Sequence, residues 1–94
     1  MSVIKLNYDL AIAQAMELEK ISRESREAAA KIRVQRDTIA DYWTGLAANA
    51  AFEEFSELLK QVEGIAEACA IAAKEIRMKA DYLRAVDEEE AKTP

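Results

Sequence analysis

Along the second half of the chain, Phe52, Phe55, Leu59, Val62, Ala66, Cys69, Ala73, Ile76, Ala80 and Leu83 follow one another in alternating three- and four-residue steps with no polar interruption. That spacing is a heptad seam on one side of an α-helix. A flanking row, Leu58, Ile65, Ala72 and Val86, widens the apolar face beyond what a two-stranded contact needs, so this helix is expected to touch two neighbours, as in a bundle. A lone hairpin would leave that row wet. The first half repeats the spacing less perfectly through Ile4, Asn7, Ala11, Gln14, Leu18, Ile21, Ser25, Ala28, Ile32, Gln35, Ile39 and Tyr42, where Asn7, Gln14, Ser25 and Gln35 are polar. Amides buried on a seam cost stability and can fix register, since a slipped alignment leaves them unpaired. The alternative is that these positions lie at the margin and stay solvated.

Punctuation is sparse: Trp43-Thr44-Gly45 near the midpoint, a lone Gly64, and Pro94 at the end. The pattern therefore predicts one domain, residues 1–94, with a first helix over about 8–42, a turn at 43–45, a second helix over about 46–90 and an acidic tail to 94. Asn7 is placed to cap the first helix and Asp9 to favour its positive end. At the standard rise the helices would be about 50 and 65 Å long. A short loop between long helices makes them antiparallel neighbours. The expected fold is all-α, an antiparallel helix-turn-helix hairpin that dimerises into a four-helix bundle to bury its leftover apolar rows.

Composition narrows the function. Of 94 residues, 51% are hydrophobic, but 19 of them are alanines, which favour helix while each burying little area. The net charge of −5, the few aromatics and the absence of a long apolar run argue against a nucleic-acid surface and a membrane span. With no histidine and only Cys69, neither an activated nucleophile nor a zinc cage can be assembled, so no enzyme, no cofactor and no metal site is expected. The opening residues lack the apolar stretch and cleavage site of a secretory signal. Spacings such as Glu17-Lys20, Arg23-Glu27 and Arg33-Asp37 allow pairing along a solvated face of the first helix. Ile71, Met78 and Ala85, with Tyr82 beside them, recur on the side opposite the seam, either as scattered surface or as a contact for a partner. Asp87-Glu88-Glu89-Glu90 puts negative charge at the helix end where the dipole disfavours it, so that end is expected to fray.

A chain of about this length with Trp43-Thr44-Gly45 at its middle, a long helix on either side and Phe52 and Phe55 soon after resembles the WXG100 family, the ESAT-6-like small proteins of bacterial type VII secretion. The opening Ile4-Lys5-Leu6-Asn7 resembles the family's short extended start. The resemblance implies turn roles for Trp43 and Gly45, and a homodimer or a heterodimer with a similar hairpin. It implies passage from cytoplasm to exterior without a cleavable signal peptide, as substrate or as escort of a larger effector to the secretion ATPase. The family commonly carries an export signal of Tyr, three residues and an acid; here Val86 follows Tyr82 at that distance, so either the signal is a variant built on Tyr82, Leu83 and Asp87 or a partner chain supplies it. The competing reading is a non-secreted antiparallel coiled-coil adaptor.

Overall fold

The computed structural model describes residues 7–92; the expectations for Ile4-Lys5-Leu6 and Pro94 lie outside the described residues. α1 spans Tyr8–Tyr42 and α2 spans Leu46–Lys92. They pack against each other as a hairpin of 76 × 16 × 13 Å, and the described residues contain no strand. The start of α1 is capped as its sequence requires, with the Leu10 N–H donating to Asn7 Oδ1 at 3.1 Å.

The fully buried positions are nearly all small. On α2, Leu59, Ala66, Ala73 and Ala80 recur every seven residues and are buried; Phe52, Phe55, Val62, Cys69 and Ile76 between them are half-buried. On α1 the buried residues are Ala11, Ala15, Ser22, Ala29 and Ile39. Of the expected α1 seam, Ala11 and Ile39 are buried and Leu18, Ser25 and Ile32 half-buried, whereas the alternate positions Gln14, Ile21 and Ala28 yield the centre of the contact to Ala15, Ser22 and Ala29, one place further along. Gln14, Gln35 and Tyr42 are exposed, so the amides do not set the register and stay in water. The reason is size. Alanine and serine let two backbones approach, whereas a glutamine or isoleucine at the same place would hold them apart.

One hydrogen bond records how near they come: the Ser22 hydroxyl donates to the Ala66 carbonyl at 2.7 Å. It satisfies the only buried polar side chain among the described residues, and it ties the middle of α1 to one residue of α2. The acceptor is a backbone carbonyl, so the bond measures how closely the helices approach; a wider spacing that left the hydroxyl buried without it would cost about 1–3 kcal/mol.

Larger side chains close the seam at both ends. Near the turn, the half-buried Arg36 places its guanidinium 5.5 Å from the centre of the Phe52 ring. At the open end, Arg84 lies 4.5 Å from the centre of the Tyr8 ring. Leu83, expected as the last seam residue, is exposed. Tyr8, the first residue of α1, engages Asp81 and Arg84 on α2.

The two sides of the seam differ. Residues four places after the buried ones, Glu19, Arg33, Glu63 and Arg77, form cross-helix ion pairs: Arg33–Glu63 at 2.9 Å and a bidentate Arg77–Glu19 fork at 2.7 and 3.0 Å. Arg33 thus crosses to α2 rather than turning back to Asp37. Residues one place before the buried ones, Ile21, Ala28, Leu58, Ile65 and Ala72, are apolar and face outward or are only half-covered. The α2 helix also continues through the acidic run to Lys92, past its expected end near Glu90. An i,i+4 pair, Arg84–Glu88 at 3.3 Å, and Lys92 in the last turn oppose the unfavourable end charge.

Two outcomes follow from this packing. Ala73→Leu should lower the melting temperature by an amount corresponding to about 1–3 kcal/mol of overpacking, while Ala68→Leu, on the exposed side of the same helix, should leave it nearly unchanged; circular-dichroism melts decide, and equal effects would contradict the seam. The second concerns charge. The Arg77 guanidinium, hydrogen-bonded to Glu19, holds that carboxyl below the ordinary glutamate range against a smaller opposing effect of desolvation. A folded pKa below the unfolded one contributes stability that is complete above the unfolded value and is lost as pH falls through the folded value. The melting-temperature difference between wild type and Glu19→Gln should therefore be full at neutral pH and close in acid; a gap unchanged at low pH would assign the effect to packing.

Candidate functional site

The turn is built from few bonds. The Trp43 N–H donates to the Ile39 carbonyl at 3.0 Å, which ends α1, and the Asn49 N–H donates to the Gly45 carbonyl at 3.2 Å, which starts α2. Between them the chain must reverse, and Gly45 does so with φ of +98°, a conformation that side-chain-bearing residues rarely adopt. Trp43 itself is extended and lines a shallow hollow with Ile39, Ala48 and Phe52. Its indole covers the tip only in part, being 55% exposed, and its neighbours Tyr42 and Leu46 are 81% and 89% exposed. Three large apolar side chains therefore crowd one end of the hairpin in contact with solvent. Sequence reading found Trp43 and Gly45 but placed Tyr42 on the seam and overlooked Leu46; the cue was that both lie beside the turn, where neither helix has a neighbour to bury them.

At the other end, the three residues of the candidate export signal do not converge. Leu83 and Asp87 are four residues apart and share a face, but Tyr82 and Asp87 are about 140° apart around the helix. Tyr82 is 68% exposed, on the same outer side as Met78, while Asp87 is half-buried beside Tyr8, Arg84, Glu88 and Ala91. An aromatic and an acid are thus displayed on separate faces of one helix end. Ile71 and Met78 are exposed as well, and Ala85 with them.

The third feature is the apolar side of the seam. Leu58 and Ile65 are 44% and 51% exposed, and Ile21 of α1 lies on the same side, one place before Ser22 as Ile65 is one place before Ala66. Gln14, Gln35 and Lys79 occupy the corresponding positions toward the ends, giving this strip an apolar middle and polar margins. That is the anatomy of a contact surface.

Charged groups elsewhere pair along the surface. Tyr8 donates its hydroxyl to Asp81 at 2.7 Å, which raises the phenol's pKa above its usual range, with lesser contributions from desolvation and the Asp81 charge. Cys69 is a free, half-buried thiol on the seam. Among the described residues no group of three His, Cys, Asp or Glu side chains is placed to hold a metal ion, and no helix is long and apolar enough to cross a membrane. Comparison with known protein families, curated proteins and solved structures finds no match for this chain.

The two glycines give a test of opposite sign. A Cβ at either would meet nothing within 4 Å, so only the backbone decides. Gly45→Ala should cost about 1–2 kcal/mol through the strained φ, and Gly64→Ala, inside α2, should stabilise by about 0.5–1 kcal/mol. Thermal melts of both variants check this, and two shifts of the same sign would contradict the turn geometry.

Proposed function

We propose that this chain is a small type VII secretion substrate or targeting partner that works through protein–protein contact, as a homodimer or a heterodimer of helical hairpins. The observation that carries the reading is the turn: Trp43-Thr44-Gly45 reverses two long antiparallel helices, with Gly45 at φ +98°. This arrangement is the one that the resemblance to the WXG100 family implies for those residues. Exposed Tyr42, Trp43 and Leu46 give the tip a surface that a partner could grip without unfolding the hairpin.

Dimerisation follows from the apolar strip. Ile21, Leu58 and Ile65 are large side chains left in water by the intramolecular seam, and a second hairpin laid on that side would bury them and complete a four-helix bundle. The polar side, already occupied by Arg33–Glu63 and Arg77–Glu19, is the poorer face for such a contact. In this reading the dimer leaves the cytoplasm alone or with a larger effector, and the secretion ATPase engages the end of α2 through Tyr82, Leu83 or Asp87. No catalytic step is required of any residue.

Two measurements test the proposal together. Light scattering of the purified chain, alone and with candidate hairpin partners encoded beside it, should give a dimer mass, and Ile65→Asp should give a helical monomer. Secreted and intracellular protein from one bacterial culture should then show export of the wild type and a sharp loss for folded Trp43→Ala. A dimer that is never exported, with or without a partner, would favour the non-secreted coiled-coil adaptor. A stable monomer under every condition would remove the bundle.

A further inference from the structure

Tyr8 joins α1 to α2 at the open end of the hairpin through more than one contact. Its hydroxyl donates to Asp81 Oδ1 at 2.7 Å, its ring lies under the Arg84 guanidinium at 4.5 Å, and Arg84 Nε donates in turn to Glu88 Oε1 at 3.3 Å. Asp81, Arg84 and Glu88 follow in steps of three and four, so they form one stripe along two turns of α2. A single side chain of α1 therefore reaches, directly or through Arg84, all three.

The lengths of the helices explain why this matters. α2 has 47 residues and α1 has 35. From the turn outward the two run side by side until α1 begins at Tyr8, opposite Asp81, and α2 continues to Lys92. The buried small residues of α2 stop at Ala80. Beyond it Leu83 is exposed and Val86 and Asp87 are only half-buried, so apolar packing holds this segment weakly and the Tyr8 contacts have correspondingly more effect on it. Tyr8 is itself on a firm post: the Asn7 cap fixes the first turn of α1. One turn deeper, the bidentate Arg77–Glu19 pair holds α2 independently of Tyr8 and marks where opening would stop.

We infer that Tyr8 is a latch that pins α2 at Asp81 and Arg84 to the start of α1 and so sets how readily α2 opens from there to Lys92, with the phenol-to-Asp81 hydrogen bond and the ring-to-Arg84 contact released together. Its service to export, by controlling when Tyr82, Leu83 and Asp87 can be taken up by a partner, rests on the function proposed above. The latch itself does not.

Hydrogen–deuterium exchange of the intact protein tests it. Tyr8→Phe keeps the ring for Arg84 and loses the hydrogen bond, so amides of residues 82–92 should exchange roughly three- to tenfold faster. Tyr8→Ala should accelerate them further. Amides of residues 59–73 should be unchanged in both variants, and Tyr82→Phe, which alters an exposed tyrosine on the same helix, should match the wild type throughout. Unaltered exchange of residues 82–92 in Tyr8→Ala would overturn the latch. So would uniform acceleration along both helices, which would make Tyr8 an ordinary contributor to global stability. Because the readout is taken on purified protein, failure of the secretion reading leaves it standing, and its own failure leaves that reading standing.

Discussion

Close approach of two helices along small side chains is the constraint on which the rest of this hairpin depends. Ala15, Ser22 and Ala29 on one helix and Ala66, Ala73 and Ala80 on the other are buried at seven-residue intervals, and Ser22 comes near enough to hydrogen-bond a backbone carbonyl of the opposite helix. Such a seam packs tightly but removes little apolar surface per residue from water. Its consequences are visible at every other level. Larger residues must close the ends, which Tyr8 with Arg84 and Arg36 with Phe52 do. The helices meet so closely that a three-residue connection suffices, and that connection needs the left-handed conformation of Gly45.

The same constraint divides the surface. Leu59 and Ile39 apart, the fully buried positions are small, and many of the bulkier side chains stand beside the seam, charged on one side and apolar on the other. On the charged side, pairs such as Arg33–Glu63 are solvent-exposed and each contributes little to stability, about 0–1 kcal/mol. They do contribute to orientation, because a slip of one heptad would set Arg33 opposite Ser56 or Ala70 in place of Glu63. On the apolar side, Ile21, Leu58 and Ile65 keep 37–51% of their surface in water. Contact with another hairpin is the role we propose for them.

Much of this was legible in the sequence, and the exceptions share a cause. The seam of α2 as far as Ala80 shows in its unbroken three-four spacing, the hairpin in its single central turn, and the cap in Asn7. In α1 the expected row Ala11, Leu18, Ser25, Ile32 and Ile39 is covered, and only the alternate row moves by one place, from Gln14 and Ile21 to Ala15 and Ser22, because close approach demands small side chains there. The recurrence of small residues every seven positions in both halves was the signal that would have corrected it. Leu83 keeps the seam spacing but is exposed, because Tyr8 turns to Asp81 and Arg84, a choice that hydropathy does not show. Tyr8 pairs with Asp81, 73 residues away, and no local pattern points to that contact. The divergence of Tyr82 from Asp87, by contrast, follows from helical spacing alone and was open to arithmetic.

The most direct test of the central claim is the register of the two small-residue rows within one chain. Nuclear Overhauser contacts, measured on isotope-labelled protein mixed with unlabelled protein and filtered to report protons of the same molecule, would read it without any substitution. The account predicts cross-helix contacts between Ser22 and Ala66. Contacts of Ser22 with Leu59 or Ala73 in place of Ala66, or Ala66 contacting the Gln14 and Ile21 side of α1, would show that the helices meet in another register and would contradict the packing from which every later step proceeds.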